Sequence, residues 1–156
     1  MAGTVEGIVI KGSTPPEGPL PAGATATPLD VAGFWFIDIT SETRAALGHD
    51  GGDRRVSGGF FELSVGVERW ARELSADGDV MYVFSEFFGG TGTHDVVAWR
   101  NGEVLFGPWL TSTSNDGPPR AWVTRDDMAI NKGLRALGVR ARYEIDEFAQ
   151  VGLDRY

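Results

Sequence analysis

The stretch Val80 to Trp109, VMYVFSEFFGGTGTHDVVAWRNGEVLFGPW, constrains the fold more than any other part of the chain. It reads as three consecutive antiparallel strands. Asn101-Gly102 is a strong hairpin signal, because a type I′ turn needs positive φ at both central residues. A turn there pairs Arg100 with Glu103, Trp99 with Val104 and Val97 with Phe106, an ion pair backed by apolar pairs. The first hairpin turns through Gly89-Gly90-Thr91-Gly92. A four-residue loop sets Glu86 opposite Asp95, Phe84 opposite Val97 and Tyr82 opposite Trp99. One face then carries Tyr82, Phe84, Phe88, Val97, Trp99, Val104 and Phe106. The other carries Met81, Val83, Phe87, Val96, Ala98 and Leu105. Strands apolar on both faces are covered on both sides, so the meander is expected at the centre of the sheet.

Around it the chain supplies two amphipathic helices. Val67, Trp70, Ala71 and Leu74 recur at helical spacing within 65–76, with Ser64 as N-cap and Asp77-Gly78 as the stop. Met128, Ile130, Leu134 and Leu137 form the stripe of a second helix over 125–138, capped by Thr124 and closed by Gly138. Val5 to Ile10, Gly33 to Thr40, Ser57 to Phe61 and Ala121 to Val123 are candidate short strands. Ser41 caps one or two helical turns to Leu47, and Asp146 to Val151 a last short helix. Residues 12–28, with five prolines, and 111–120 read as long loops. The expectation is one α+β domain over 1–156, with a mainly antiparallel sheet of about five or six strands.

With no cysteine there is no disulfide framework, thiolate nucleophile or thiolate metal site. No apolar stretch is long enough to span a membrane, and the N-terminus lacks a signal-like pattern, so a cytoplasmic protein is expected. The net charge is −8, and all of it arises before residue 110, since seven acids and seven bases balance from there on. Such a chain repels phosphate backbones, which argues against nucleic acid, and suits a basic protein partner. The acids placed to meet one are Glu42, Asp50, Asp53, Asp77 and Asp79, in loops and at helix ends. Trp109 and Trp122 flank the 111–120 loop as possible interface anchors.

Motifs for catalysis are sparse. Gly89-Gly90-Thr91-Gly92 precedes a strand and no Lys follows, so it is a wide turn rather than a phosphate cradle. His49 to Asp53 lacks the ligand pattern of a calcium loop. Neither a metal nor a cofactor is expected. The residues that could do chemistry are Glu86, His94 and Asp95, as a carboxylate pair or an acid/base couple of a small hydrolase or lyase.

Ser85-Glu86-Phe87-Phe88-Gly89-Gly90-Thr91-Gly92-Thr93-His94 resembles a segment of small, mostly uncharacterised bacterial proteins: strand, aromatic pair, Gly-Gly-x-Gly, strand. The tail is similar too, with Ile130-Asn131, Leu134 to Val139, Asp146-Glu147-Phe148 and Gly152-Leu153. The resemblance implies a role as an immunity or accessory protein beside a toxin, masking a basic surface without catalysis. This chain has His94 where that pattern carries an amide such as Gln, which makes any hydrogen bond there pH-dependent.

Overall fold

The computed structural model describes residues 3–47, 63–88, 91–115, 117, 120–142 and 145–156. Seven strands form one mixed, mostly antiparallel sheet: β1 (Gly3–Lys11), β2 (Ala26–Pro28), β3 (Phe34–Asp38), β4 (Val80–Phe88), β5 (Thr91–Arg100), β6 (Glu103–Ser112) and β7 (Ala121–Trp122). Their order is β2-β3-β1-β4-β5-β6-β7, and only the β6–β7 pairing is parallel. The helices are α1 (Ser41–Ala46), α2 (Val65–Leu74), α3 (Ala129–Ala136) and α4 (Glu147–Gln150). The fold is thus α+β with two main helices. The count exceeds the expected five or six because β2 forms at the end of 12–28, a segment that reads as irregular.

The meander is central, as its two-sided apolarity requires. On one side Val9, Met81, Val83, Val96 and Ala98 pack with Ile130, Leu134 and Leu137 of the α3 region and with Phe148 and Leu153. On the other side Ile8, Tyr82, Val97 and Trp99 pack with Val67, Trp70 and Ala71 of α2. β1 is apolar on both faces for the same reason. Where β1 passes β3, Gly7 leaves room for the Phe36 ring, with which a Cβ would collide.

Two details of register differ from expectation. Glu86 pairs with Thr93, Phe84 with Asp95, Tyr82 with Val97 and Val80 with Trp99. The pairing is therefore shifted by two residues from the register that a four-residue loop sets. A slip of two keeps every side chain on its expected face. The second difference changes a face. Trp99–Val104 and Arg100–Glu103 pair as expected, but Phe106 lies opposite Ala98 rather than Val97. β6 carries an extra residue on each side of that pair, which is how a bulge re-aims a side chain. Gly107, with φ of 89° and 2.8 Å from the Val96 carbonyl oxygen at its missing Cβ, occupies the irregular stretch. Phe106 consequently joins the α3 side, stacked on Trp109 with ring centres 4.6 Å apart. Asn101 and Gly102 have φ of 51° and 77°, the signature of the I′ turn. Arg100 grips Asp79 through two hydrogen bonds of 2.8 Å, in place of the expected ion pair with Glu103.

Helix ends follow local chemistry. The Ser64 hydroxyl accepts from the Val67 N–H at 3.3 Å and caps α2. Thr40, one residue before the expected Ser41, caps α1 by accepting from Thr43. The second main helix starts later than expected: Arg125–Asp127 is a 3₁₀ turn, and Met128 is extended before α3 begins at Ala129. Thr124 makes no capping bond to the backbone. The Ala129 N–H donates instead to the Thr111 hydroxyl at 2.8 Å, so a side chain of β6 satisfies the helix start. Among the described residues no helix is long and apolar enough to cross a membrane.

Candidate functional site

Strand alternation sends His94 to the α3 face and Asp95 to the α2 face. Glu86, paired with Thr93, shares the Asp95 face. The structure therefore brings Glu86 and Asp95 onto one side and separates them from His94, so the three do not form a single acid/base cluster.

On the Asp95 side two buried polar groups interrupt the apolar surface. Asp95 Oδ2 accepts from Arg120 Nη2, both side chains being almost wholly buried. Burial raises the Asp95 pKa to about 6; Arg120 opposes this, while the nearby Glu86 adds to it. The Tyr82 hydroxyl donates to Glu6 Oε2 at 2.6 Å, and Glu6 is also ion-paired with Arg44. Burial, then the Glu6 charge, push the Tyr82 phenol well above its ordinary value. These contacts tie α1 and the loop before β7 to the sheet, as paired buried charges do.

On the His94 side the sheet, the 3₁₀ turn, α4 and the C-terminal turn line a half-open cavity of about 660 Å³. β1 contributes Gly3 and Val5; β4 and β5 contribute Phe87, Gly92 and His94. Thr113, Arg125 and Met128, then Asp146, Phe148 and Ala149, then Asp154 and Tyr156 complete the wall. Gly92 has its own reason to be glycine, since a Cβ there would lie 2.9 Å from the Phe87 ring.

The wall is held by one asparagine. Asn131, fully buried on α3, donates from Nδ2 to the Arg125 carbonyl at 2.9 Å and to Asp146 Oδ2 at 3.2 Å. Its Oδ1 accepts from the Phe148 N–H at 2.9 Å. Asp146 caps α4 by accepting from the Ala149 N–H at 2.9 Å and pairs with Arg125 Nε at 2.9 Å. Burial alone would raise the Asp146 carboxyl. The bonds from Arg125, Ala149 and Asn131 outweigh it and hold the pKa below the usual range.

His94 is the group these contacts do not use. It is only 3% exposed, packed against Phe148 at 5.3 Å and edge-on to Phe87 at 5.8 Å between ring centres. Neither ring nitrogen has a hydrogen-bond partner among the described residues. Burial lowers its pKa to about 4, although the Asp146 charge pulls the other way. The imidazole is therefore neutral at pH 7, with one N–H to give and one lone pair to accept. Buried polar atoms left without a partner are uncommon and costly.

The other residues singled out by sequence are dispersed. Glu42 and Asp77 are exposed, but α1 meets the sheet at Glu6, whereas Asp77 is two residues from Asp79, whose carbonyl accepts from the Lys11 N–H at the end of β1. Asp79 is held by Arg100. Asp50, Asp53, His49, Gly89, Gly90, the Ser57–Phe61 stretch and the Phe88 side chain lie outside the described residues. Trp122 is 70% exposed on the edge strand, whereas Trp109 is half-buried between Phe106 and the Lys132 ammonium, which sits 4.3 Å from its ring centre. Asn131, Asp146 and Phe148 were visible only as parts of a helical pattern and of a resemblance. Among the described residues no group of His, Asp and Glu is arranged to hold a metal.

Comparison with protein families, with characterised proteins and with solved structures finds no match to this chain.

Proposed function

We propose that the chain acts by binding a small ligand in the cavity between the β4–β5 end of the sheet and the C-terminal turns. The observation that carries this reading is the cavity itself, whose wall brings Phe87, Phe148 and the His94 ring together. A mostly apolar cavity with a few convergent polar groups is the usual form of a small-molecule site, and about 660 Å³ falls within the range such sites occupy. Binding is favoured over catalysis because a general base is normally oriented by a third group, and His94 has none among the described residues. Glu86 and Asp95, the carboxylates that a hydrolase or lyase would use with it, face the other way. Titrating ¹⁵N-labelled protein with a panel of fragment-sized aromatic and aliphatic molecules tests the reading. Shifts confined to Phe87, Gly92, His94 and Phe148 support it. A panel that moves none of these, or moves the Asp95 face instead, overturns it.

Charge supports a second reading, an immunity-type protein covering a basic toxin surface. Glu42 and Asp77 are exposed acids on a chain of net charge −8, and such a surface speeds encounter with a cationic partner. Pull-down followed by association kinetics at increasing salt tests it. An acidic partner, or a rate unchanged between about 0.05 and 0.5 M salt, where the Debye length shrinks roughly threefold, would rule it out.

A further inference from the structure

Resting on the cavity reading, we infer that the ligand is an apolar monocarboxylate, with its body among the aromatic side chains and its carboxylate on the Arg125 guanidinium. Three features of the site converge on this class.

The first is the state of Arg125. It lines the cavity, and its side chain is 68% exposed. One guanidinium nitrogen is committed, since Nε donates to Asp146 Oδ2 at 2.9 Å. Asp146 lines the same cavity, and its charge acts on the His94 ring. The bond therefore holds the guanidinium at the cavity rim rather than out in solvent. A guanidinium is a rigid planar fork, so Nη1 and Nη2 sit beside the anchored Nε. Neither donates to any of the described residues. Two parallel N–H groups on one open edge match the two oxygens of a carboxylate.

The second is where the acids lie. Asp146 receives N–H groups from Ala149 and Asn131 as well as from Arg125, so its charge is offset in place. Asp126 is exposed and acts on Arg125 through space, without a hydrogen bond. Asp154, also exposed, belongs to the opposite end of the cavity. The Arg125 turn is tied to β6, where the Ala129 N–H meets Thr111, whereas the C-terminal turn is tied to β3, where Tyr156 packs on Phe36. β5, β4 and β1 separate those two strands. Water and salt weaken exposed charges at such a separation. One open guanidinium among these acids can balance a single negative charge, which selects a monocarboxylate over a doubly charged phosphate ester.

The third is the wall beneath the rim. Phe87 and Phe148 meet edge-on with ring centres 6.1 Å apart, and Val5 and Met128 extend the apolar lining. Such a wall gains from burying an apolar body, and from a ring in tilted or edge-to-face contact. A charge carried to that depth would be costly without a partner. With its carboxylate on Arg125, the ligand keeps its charge at the half-open rim and buries only its body.

The experiment titrates the ¹⁵N-labelled full chain with 3-phenylpropionate, its neutral and cationic counterparts 3-phenylpropanol and 3-phenylpropylammonium, and acetate. 3-Phenylpropionate should shift Arg125, Phe87 and Phe148 and bind at least about tenfold more tightly than the alcohol, the scale of a hydrogen bond to a charged group. Acetate, with no body to bury, should bind at least about tenfold more weakly than 3-phenylpropionate. Alcohol or ammonium binding at the cavity as tightly as 3-phenylpropionate overturns the ligand class while sustaining the cavity. Acetate matching 3-phenylpropionate also overturns it, because Arg125 would then be a surface anion contact alone. Failure of every probe to move Phe87, Gly92, His94 or Phe148 overturns the cavity reading itself. Arg125→Gln removes the charge from an exposed side chain and should bring 3-phenylpropionate down to the affinity of the alcohol. An unchanged advantage would contradict the assignment. If that variant does not fold, the wild-type protein decides: raising salt from about 0.05 to 0.5 M should shrink the carboxylate's advantage over the alcohol, and an advantage indifferent to salt overturns the pairing.

Discussion

Replacing Asn131 with Ala tests whether one buried amide holds the cavity wall. Three hydrogen bonds disappear: those to the Arg125 carbonyl, to Asp146 Oδ2 and from the Phe148 N–H. They are not equal. The Arg125 carbonyl belongs to an exposed residue and can hydrate, and Asp146 keeps its bonds from Arg125 and Ala149. The Phe148 N–H is buried and loses its acceptor outright, which costs about 1–3 kcal/mol. The lost bond to a charged Asp146 adds on the order of 1 kcal/mol after compensation by the partners that remain. The expected loss is therefore about 2–4 kcal/mol, read as a lower urea midpoint with an unchanged slope by tryptophan fluorescence. Asn131→Asp separates geometry from charge. It keeps an acceptor for Phe148 but sets a second carboxylate where Nδ2 now lies 3.2 Å from Asp146 Oδ2. It should be at least as destabilising at pH 7 and should recover as pH falls and one carboxylate protonates. A loss below about 0.5 kcal/mol for Asn131→Ala, the level of an ordinary surface change, would refute this account of the wall.

Other perturbations give separate outcomes. Asp146 has a folded pKa below its unfolded value, so its stabilisation is present above the unfolded pKa and is lost as pH falls through the folded one. Asp146→Asn should flatten the acid limb of a urea-midpoint profile, and an unchanged limb would contradict the assignment. Asp95 behaves oppositely: its pKa is raised to about 6, so its contribution to stability diminishes as pH rises from near 4 through 6, and Arg120→Met should raise that pKa further in a carboxyl-detected NMR titration. Gly92→Ala puts a methyl 2.9 Å from the Phe87 ring and should cost about 1–3 kcal/mol as an overpacked site, measured by thermal melting. Trp122→Ala, at a side chain already in water, should leave stability within about 0.5 kcal/mol in the same melting assay.

Much of the fold was legible because its signals are local or repeat with a fixed period. Asn101-Gly102 sets its turn by φ alone, Ser64 caps α2 with its own hydroxyl, and Gly138 follows α3 at positive φ. The apolar faces of β4 and β5 place the meander between two layers whatever the register. What sequence could not resolve depends on distant partners. Gly89-Gly90-Thr91-Gly92 accommodates a two- or four-residue loop without moving a side chain to the wrong face, so periodicity is blind to the difference. The Phe106 flip arises from bulges in β6, which strand alternation cannot anticipate. Thr124-Arg125-Asp126-Asp127 carries good start chemistry, yet α3 begins later because Thr111, on another element, supplies its cap.

The candidate site was half legible. His94 stood out, but grouped with Glu86 and Asp95, and adjacent residues of one strand cannot share a face. That single rule already separates His94 from Asp95. Its real neighbours, Phe148 and the Asn131–Asp146 network, come from the last third of the chain. No spacing in sequence links them to β5.

The most direct test of the account is the state of the His94 imidazole, followed by NMR across pH and through the fragment titration. A buried ring lining a ligand cavity predicts a free-state pKa near 4, neutral-form nitrogen shifts at pH 7, and shifted ring protons when a fragment binds. A pKa near the unperturbed value of about 6.5, or ring protons indifferent to every fragment that binds, would contradict the claim that the buried His94 ring lines a ligand cavity.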